Sequence, residues 1–171
     1  MHKLMLDANT FDFIYDNDSS LVPKLEILVN SNKLSLYMTH IQRDEIEKIG
    51  NIGKRHRIKE IIKLIKIQTI VTSNAFVGTD FPSKHGYNGS RIGMSKVVND
   101  NDASMLEKLQ KKTTNPMGNT ADLSILYTAI KENMDYLITN DLGYKNLLIE
   151  MSKSKPNKLA VKPNSSLLTD F

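Results

Sequence analysis

Two hydrophobic periods alternate along the chain, and the changes between them mark out its elements. Leu4-Met5-Leu6 is a short apolar run that ends at Asp7 and is followed by Asn9 and Thr10, the pattern of a buried strand opening into a loop. Leu21, Leu25 and Leu28 then recur at helical spacing, with Asp18, Ser19 and Ser20 as capping candidates and Pro23 tolerable in a first turn. Leu34–Thr39 predicts a second strand that runs directly into a helix from His40 to about Ile49, stopped at Gly50. Over Gly53–Lys66, Ile58, Ile61, Ile62 and Ile65 share one face, opposite Lys54, Arg55, Arg57, Lys59, Lys63 and Lys66. Gln68–Thr72 predicts a third strand.

From Ser73 to Asp100 the period is lost among glycines and polar residues, predicting a long glycine-rich basic loop at about 73–100. Helical spacing returns over Asp102–Lys112 and, most strongly, over Asn119–Asn133. A strand at Tyr136–Thr139, a helix from about Leu142 to Met151 and a last strand at Leu159–Val161 complete the series. Strands alternating with helices predict an α/β domain built on a mainly parallel sheet.

Composition narrows this picture. A length of 171 residues suits one domain with a substantial core, and 40% hydrophobic with 25% charged residues is ordinary globular usage. The absence of cysteine excludes disulfides, zinc–thiolate sites and thiol nucleophiles. No apolar stretch is long enough to span a bilayer and the first residues lack a cleavable leader pattern, so a soluble, cytoplasmic protein is expected. A net charge of +4 and a pI near 9.1 favour a polyanionic partner.

The acids carry the chemistry. In a parallel sheet the strand carboxyl ends share one edge, and ligands bind in the crevice outside it. Two predicted strands end at carboxylates there, Asp7 after Leu4-Met5-Leu6 and Asp141 after Tyr136-Leu137-Ile138-Thr139-Asn140. Aspartate is also a common turn residue, so neither position decides alone. On the Asn119–Asn133 helix, Asp122 shares its face with Ile125, Leu126 and Ala129, which directs a carboxylate inward. On the helix from His40, Glu45 lies in line with Ile41 and Ile49, whereas Glu47 is on the outer face and Asp44 is intermediate. Acids gathered without histidine or cysteine point to a hard cation such as Mg²⁺ or Mn²⁺, which takes oxygen ligands and commonly bridges to phosphate. Glycoside hydrolysis also uses paired acids, but a chain with no Trp and 6% aromatics lacks a sugar-stacking surface.

These segments resemble the PIN-domain ribonuclease family. Leu6-Asp7-Ala8-Asn9-Thr10-Phe11 resembles its opening D-x-N motif, and Thr39-His40-Ile41-Gln42-Arg43-Asp44-Glu45-Ile46 the segment with its helical glutamate. Asn119-Thr120-Ala121-Asp122 followed by Tyr136-Leu137-Ile138-Thr139-Asn140-Asp141 is similar to the stretch with its third and fourth acids. The resemblance implies a three-layer α/β/α fold with about five strands, in one PIN-like domain over 1–171. It also implies an acidic quartet of Asp7, Glu45, Asp122 and Asp141 that binds Mg²⁺ or Mn²⁺ and cleaves RNA. Asn9, Thr39 and Asn140 would orient the carboxylates, and Lys84, Arg91 and Lys96 in the long loop would contact nucleic acid. The activity would be toxin-like or RNA-processing, with an antitoxin protein or a second copy as partner. The alternative is a non-catalytic RNA-binding or scaffold protein on the same fold.

Overall fold

The computed structural model describes residues 1–74, 95–97, 100–112, 119–154 and 156–171. It begins with strand β1 (His2–Leu6), helices α1 (Ala8–Asp16) and α2 (Asp18–Asn30), and β2 (Leu34–Thr39). Helices α3 (His40–Glu47) and α4 (Ile52–Leu64) lead to β3 (Gln68–Ile70), β4 (Thr72–Asn74) and β5 (Ser95–Val97). Then come α5 (Asp100–Lys112), α6 (Asn119–Lys131), β6 (Tyr136–Ile138), α7 (Gly143–Ser154), β7 (Ala160–Lys162) and the short α8 (Ser166–Thr169).

Five strands form one sheet in the order β3-β2-β1-β6-β7, and every pairing in it is parallel. The continuous run Leu4-Met5-Leu6 is explained by burial on both faces. Leu4 and Leu6 join Phe11 and Ile14 of α1, Leu21 and Leu25 of α2, and Ile58 and Ile61 of α4 in one core. Met5 and Leu137 point to the other face, against Leu106 of α5, Leu126 and Tyr127 of α6, and Tyr144 and Met151 of α7. Helices thus cover both sides of the sheet, the architecture expected of a PIN-like fold. Among the described residues no helix is long and apolar enough to cross a membrane.

The sequence expectation needs correction in four places. The chain after Asp7 is helix α1, not a loop, because Phe11 and Ile14 bury a helical stripe against the sheet. The α2 helix begins at Asp18, which puts Pro23 in its second turn rather than its first. The expected strand Gln68–Thr72 is broken: β3 joins the main sheet, whereas β4 leaves it and pairs in parallel with β5. Burial of Ser73, whose N–H donates to Thr128 Oγ1 at 2.9 Å, holds β4 against α6. The predicted loop at about 73–100 therefore holds the last two residues of β4, all of β5 and the first residue of α5, and residues 75–94 and 98–99 lie outside the described residues. Finally, α8 had no periodic signal, yet its Leu167 is fully buried.

The topology fixes where a ligand would sit. From β1 the chain moves outward through β2 to β3 on one side, while β6 and β7 lie on the other. The carboxyl ends of β1 and β6 therefore flank the point where the connections reverse, the usual place for a crevice in such sheets.

Candidate active site

Asp7 follows β1 and is placed by the ladder itself: Leu6 lies opposite Ile138, and the Asp7 N–H donates to the Ile138 carbonyl at 3.0 Å. It occupies the N-cap position of α1 with extended backbone, but its carboxylate makes no capping bond. An acid that forgoes the commonest use of that position is held for something else. Oδ2 instead accepts from Asn9 Nδ2 at 2.6 Å and Thr139 Oγ1 at 2.7 Å, and Oδ1 accepts from Tyr144 Oη at 3.2 Å. Asp7 is only 7% exposed, and burial raises its pKa. The bonds from Thr139, the Ala8 backbone and Tyr144 pull it down, while the charge of Asp141 adds to the rise.

Asp122 stands in the first turn of α6 and reaches the same tyrosine, whose Oη lies 3.1 Å from Asp122 Oδ1. A phenol has one proton, so Tyr144 donates to one of these carboxylates at a time. Burial, followed by the negative charge of Asp7, pushes Asp122 up to about 6 despite its bond with Tyr144. A helix N-terminus would by itself favour the ionised form, so burial and like charge outweigh the dipole here. Tyr144 is enclosed in the core and its pKa is raised well above the usual value, first by burial and then by the charges of Asp7 and Asp122.

Asp141 is exposed at the start of the β6–α7 turn. Its backbone N–H donates to Thr139 Oγ1 at 2.9 Å, and its Oδ1 accepts from the Gly143 N–H at 2.7 Å. A Cβ on residue 143 would stand 3.0 Å from that Oδ1, so glycine permits the tight turn. Asp141 thus performs turn duty with one oxygen, while its charge still acts on Asp7 and Asp122.

Glu45 projects from α3. That helix is anchored by the Thr39 cap and by Gln42 Nε2, which donates to the Leu6 carbonyl at 3.0 Å beside Asp7. Glu45 lies on the side of α3 toward Asp7 and Asp122, as its helical phase predicts, but the expectation of burial is corrected: the residue is exposed and stands at the rim. Partial desolvation, then the charges of Asp7 and Asp122, nevertheless push its carboxyl up to about 7. Solvent at this exposed position screens what that shift means for stability. Glu47 points elsewhere, paired with Lys59 of α4 at 2.6 Å.

Among the described residues no ion pair reaches Asp7, Glu45, Asp122 or Asp141. Nor do three His, Asp or Glu side chains among the described residues converge into a ready-made cation site. The Tyr144 hydroxyl lies between Asp7 and Asp122 instead. The donor chemistry still fits a hard divalent cation. It is all oxygen, it carries no ion pair among the described residues, and burial together with neighbouring acids raises the pKa values of Asp7, Asp122 and Glu45, although Lys48 draws Glu45 down; a cation relieves that penalty.

Asn9 holds Asp7 directly, whereas Thr39 uses its hydroxyl on the α3 capping box with Gln42 and Asn140 bonds to asparagines rather than to an acid. Thr39 is therefore corrected from a carboxylate-orienting group to a helix cap. Sequence reasoning missed Thr139 and Tyr144. Both flank Asp141 closely in sequence, but nothing in the apolar period showed that their hydroxyls turn toward Asp7. Lys84 and Arg91 lie outside the described residues, and for Lys96 only its backbone place in β5 is described.

No protein-family model matches the chain, and no curated protein matches it. Among solved structures, the crystal structure of VapBC2 from Rickettsia felis bound to a DNA fragment from their promoter is similar at a TM-score of 0.48 and 17% identity. That match covers 94% of this chain and 98% of the other, a likeness too slight to assign a family.

Proposed function

We propose that the chain is a metal-dependent nuclease, with RNA as its substrate, whose acidic crevice holds Mg²⁺ or Mn²⁺. The observation that carries this reading is the meeting of Asp7 and Asp122 on one buried tyrosine hydroxyl at the sheet's switch point, close enough to Glu45 to raise its pKa, with no ion pair to any of the three among the described residues. Structural acids are normally paired, as those around α4 are; acids kept close together and unpaired are characteristic of functional sites. A bound divalent ion supplies Lewis acidity at a phosphate and lowers the pKa of a water molecule. Asp7, Asp122 and Asp141 would hold it, with Glu45 at the rim binding directly or through water. Thr139 and Asn9 fix the Asp7 carboxylate so that its free lone pairs keep one direction. Phosphate contacts would come from the basic segment containing Lys84, Arg91 and Lys96. The same chemistry would serve a toxin-like enzyme restrained by an antitoxin protein or an RNA-processing enzyme.

The test is Mn²⁺ binding by calorimetry together with cleavage of a mixed RNA pool. The expected result is saturable Mn²⁺ binding and cleavage abolished by chelator and by Asp7→Asn. RNA binding without Mn²⁺ binding or cleavage would favour the non-catalytic alternative.

A further inference from the structure

Asn164 lies in the turn between β7 and α8, distant in sequence from all the acids, and is 1% exposed. Burying a primary amide is costly unless its polar atoms are matched, and here they are. Oδ1 lies 2.9 Å from Thr10 Oγ1, whose single proton it shares with the Ile138 carbonyl at 2.8 Å, while Nδ2 donates to Asn9 Oδ1 at 3.0 Å and faces the Asn9 carbonyl at 3.4 Å. The backbone N–H of Asn164 donates to Asn140 Oδ1 at 3.0 Å. Asn9 and Asn140 lie beside Asp7 and Asp141, and they bond to each other through the Asn140 N–H and Asn9 Oδ1 at 3.2 Å.

The chemistry gives this chain of amides one direction. An ionised carboxylate only accepts, so the end of Asn9 that meets Asp7 Oδ2 at 2.6 Å must be its NH₂ group. Asn9 then turns its carbonyl oxygen toward Asn164, which must answer with its own NH₂. Reversing either amide would set two oxygens against each other. The turn that carries Asn164 is itself anchored: Leu167 is fully buried, and Lys24 Nζ donates to the carbonyls of Leu167 and Leu168 at 3.2 and 2.7 Å.

We infer that Asn164 is a positioning residue for the acid crevice: it fixes the Asn9 amide, and through it the Asp7 carboxylate, and ties the β1–α1 and β6–α7 turns to the segment after β7. Its effect on a metal rests on the nuclease reading; its effect on Asn9 and Asn140 does not.

The decisive variant is Asn164→Asp, which keeps the shape but sets an oxygen against Asn9 Oδ1. Asn164→Ala is the second variant, in case a buried carboxylate prevents folding. In metal-free protein, NMR hydrogen exchange reads the Asn9 side-chain amide and the Asn140 and Asp141 backbone N–H groups. Their protection is expected to fall about 10-fold or more, as follows from leaving a buried hydrogen-bond partner unsatisfied, while the β1 amides keep theirs. Unchanged protection at Asn9 in a folded variant overturns the inference, as does an equal loss throughout β1. In the second arm, Mn²⁺ affinity should weaken by a similar factor, and Asn9→Ala combined with Asn164→Ala should be no worse than Asn9→Ala alone. Additive losses would overturn action through Asn9. A parent that binds no Mn²⁺ would overturn the nuclease reading, and the exchange arm would still decide the role of Asn164.

Discussion

The acid crevice beyond β1 and the outer face of α4 are both densely charged, and they treat charge in opposite ways. On α4 three of the basic side chains are paired with acids: Lys54 with Asp12 at 2.8 Å, Arg57 with Asp18 at 2.6 Å and Glu60 at 3.0 Å, and Lys59 with Glu47 at 2.6 Å. The bonds from Lys59 and Arg57 hold Glu47 and Glu60 below the usual carboxylate range, and the bond to Asp12 raises Lys54. Each group is favoured in its charged form. In the crevice, burial and like charge disfavour the charged forms of Asp7, Asp122 and Glu45. The basic face, which composition alone would nominate for nucleic acid, is largely neutralised by acids of α1, α2 and α3. The crevice is where the fold carries an unmatched electrostatic load, and an external cation would relieve it.

The sharpest way to break this contrast is Asp7→Asn. The fold is expected to survive, because an asparagine oxygen can still accept from Asn9 and Thr139 while its NH₂ faces the Tyr144 oxygen, which then donates to Asp122. Mn²⁺-dependent cleavage should fall by several orders of magnitude, since a lost ligand misplaces the ion and the water it activates. A folded variant that cuts at the parental rate removes Asp7 from the site. Tyr144→Phe is expected to do less to cleavage and more to stability. It keeps the ring in the core but strips a donor from two enclosed carboxyls, at a cost of about 1.5–3 kcal/mol in metal-free protein by chemical denaturation. Saturating Mn²⁺ should recover part of that loss; no recovery would mean that Tyr144 does not stand where the cation binds.

How far the sequence reveals this follows from the physics of each element. The strand Leu4-Met5-Leu6 and the stripe on α6 were legible because burial imposes a period that single residues cannot hide. The place of Asp7 and Asp141 at one sheet edge followed from the alternation of strands and helices. What was not legible depends on side chains meeting across the fold. Thr139, Tyr144 and Asn164 reach Asp7 or its partner Asn9 through bonds spanning more than a hundred residues, and no local pattern encodes such a meeting. Likewise, the break between β3 and β4 is set by packing on α6 rather than by any Gly or Pro signal. Glu45 shows the limit of helical phase: its side of α3 was foreseen, its exposure was not.

A smaller effect sharpens the contrast through pH. Glu45 rises from 4.5 to about 7 and Asp122 from 3.8 to about 6. For acids raised in the folded state, the stability they contribute is full below their unfolded values and is lost as pH climbs through the folded ones. Metal-free protein should therefore lose stability from about pH 4 to pH 7 through these two groups, Glu45 contributing less because solvent screens it. The Mn²⁺-induced rise in Tm should grow across the same window, because a cation binds the ionised forms. Asp122→Asn should flatten both trends, measured as Tm against pH with and without Mn²⁺. A Tm increment from Mn²⁺ that is independent of pH would count against the coupled acids.

The smallest effect is expected on the other side of the comparison. Glu47→Gln removes the partner of Lys59, yet both groups are solvated at the surface, where the Coulomb gain is weak and the entropy of holding two long side chains nearly offsets it. The melting temperature should move by little more than the reproducibility of the measurement, and 0.5 M salt should erase the difference by screening the pair. Cleavage should stay at the parental rate, whereas Glu45→Gln, only two positions away on the same helix, should lower it strongly. The two variants remove the same charge from the same element, so they isolate direction: one carboxylate answers to Lys59, the other to Asp7 and Asp122. Equal losses from both would mean that α3 contributes only its general negative charge. A larger loss from Glu47→Gln would transfer the functional acid to the α4 side and overturn the division between the two regions.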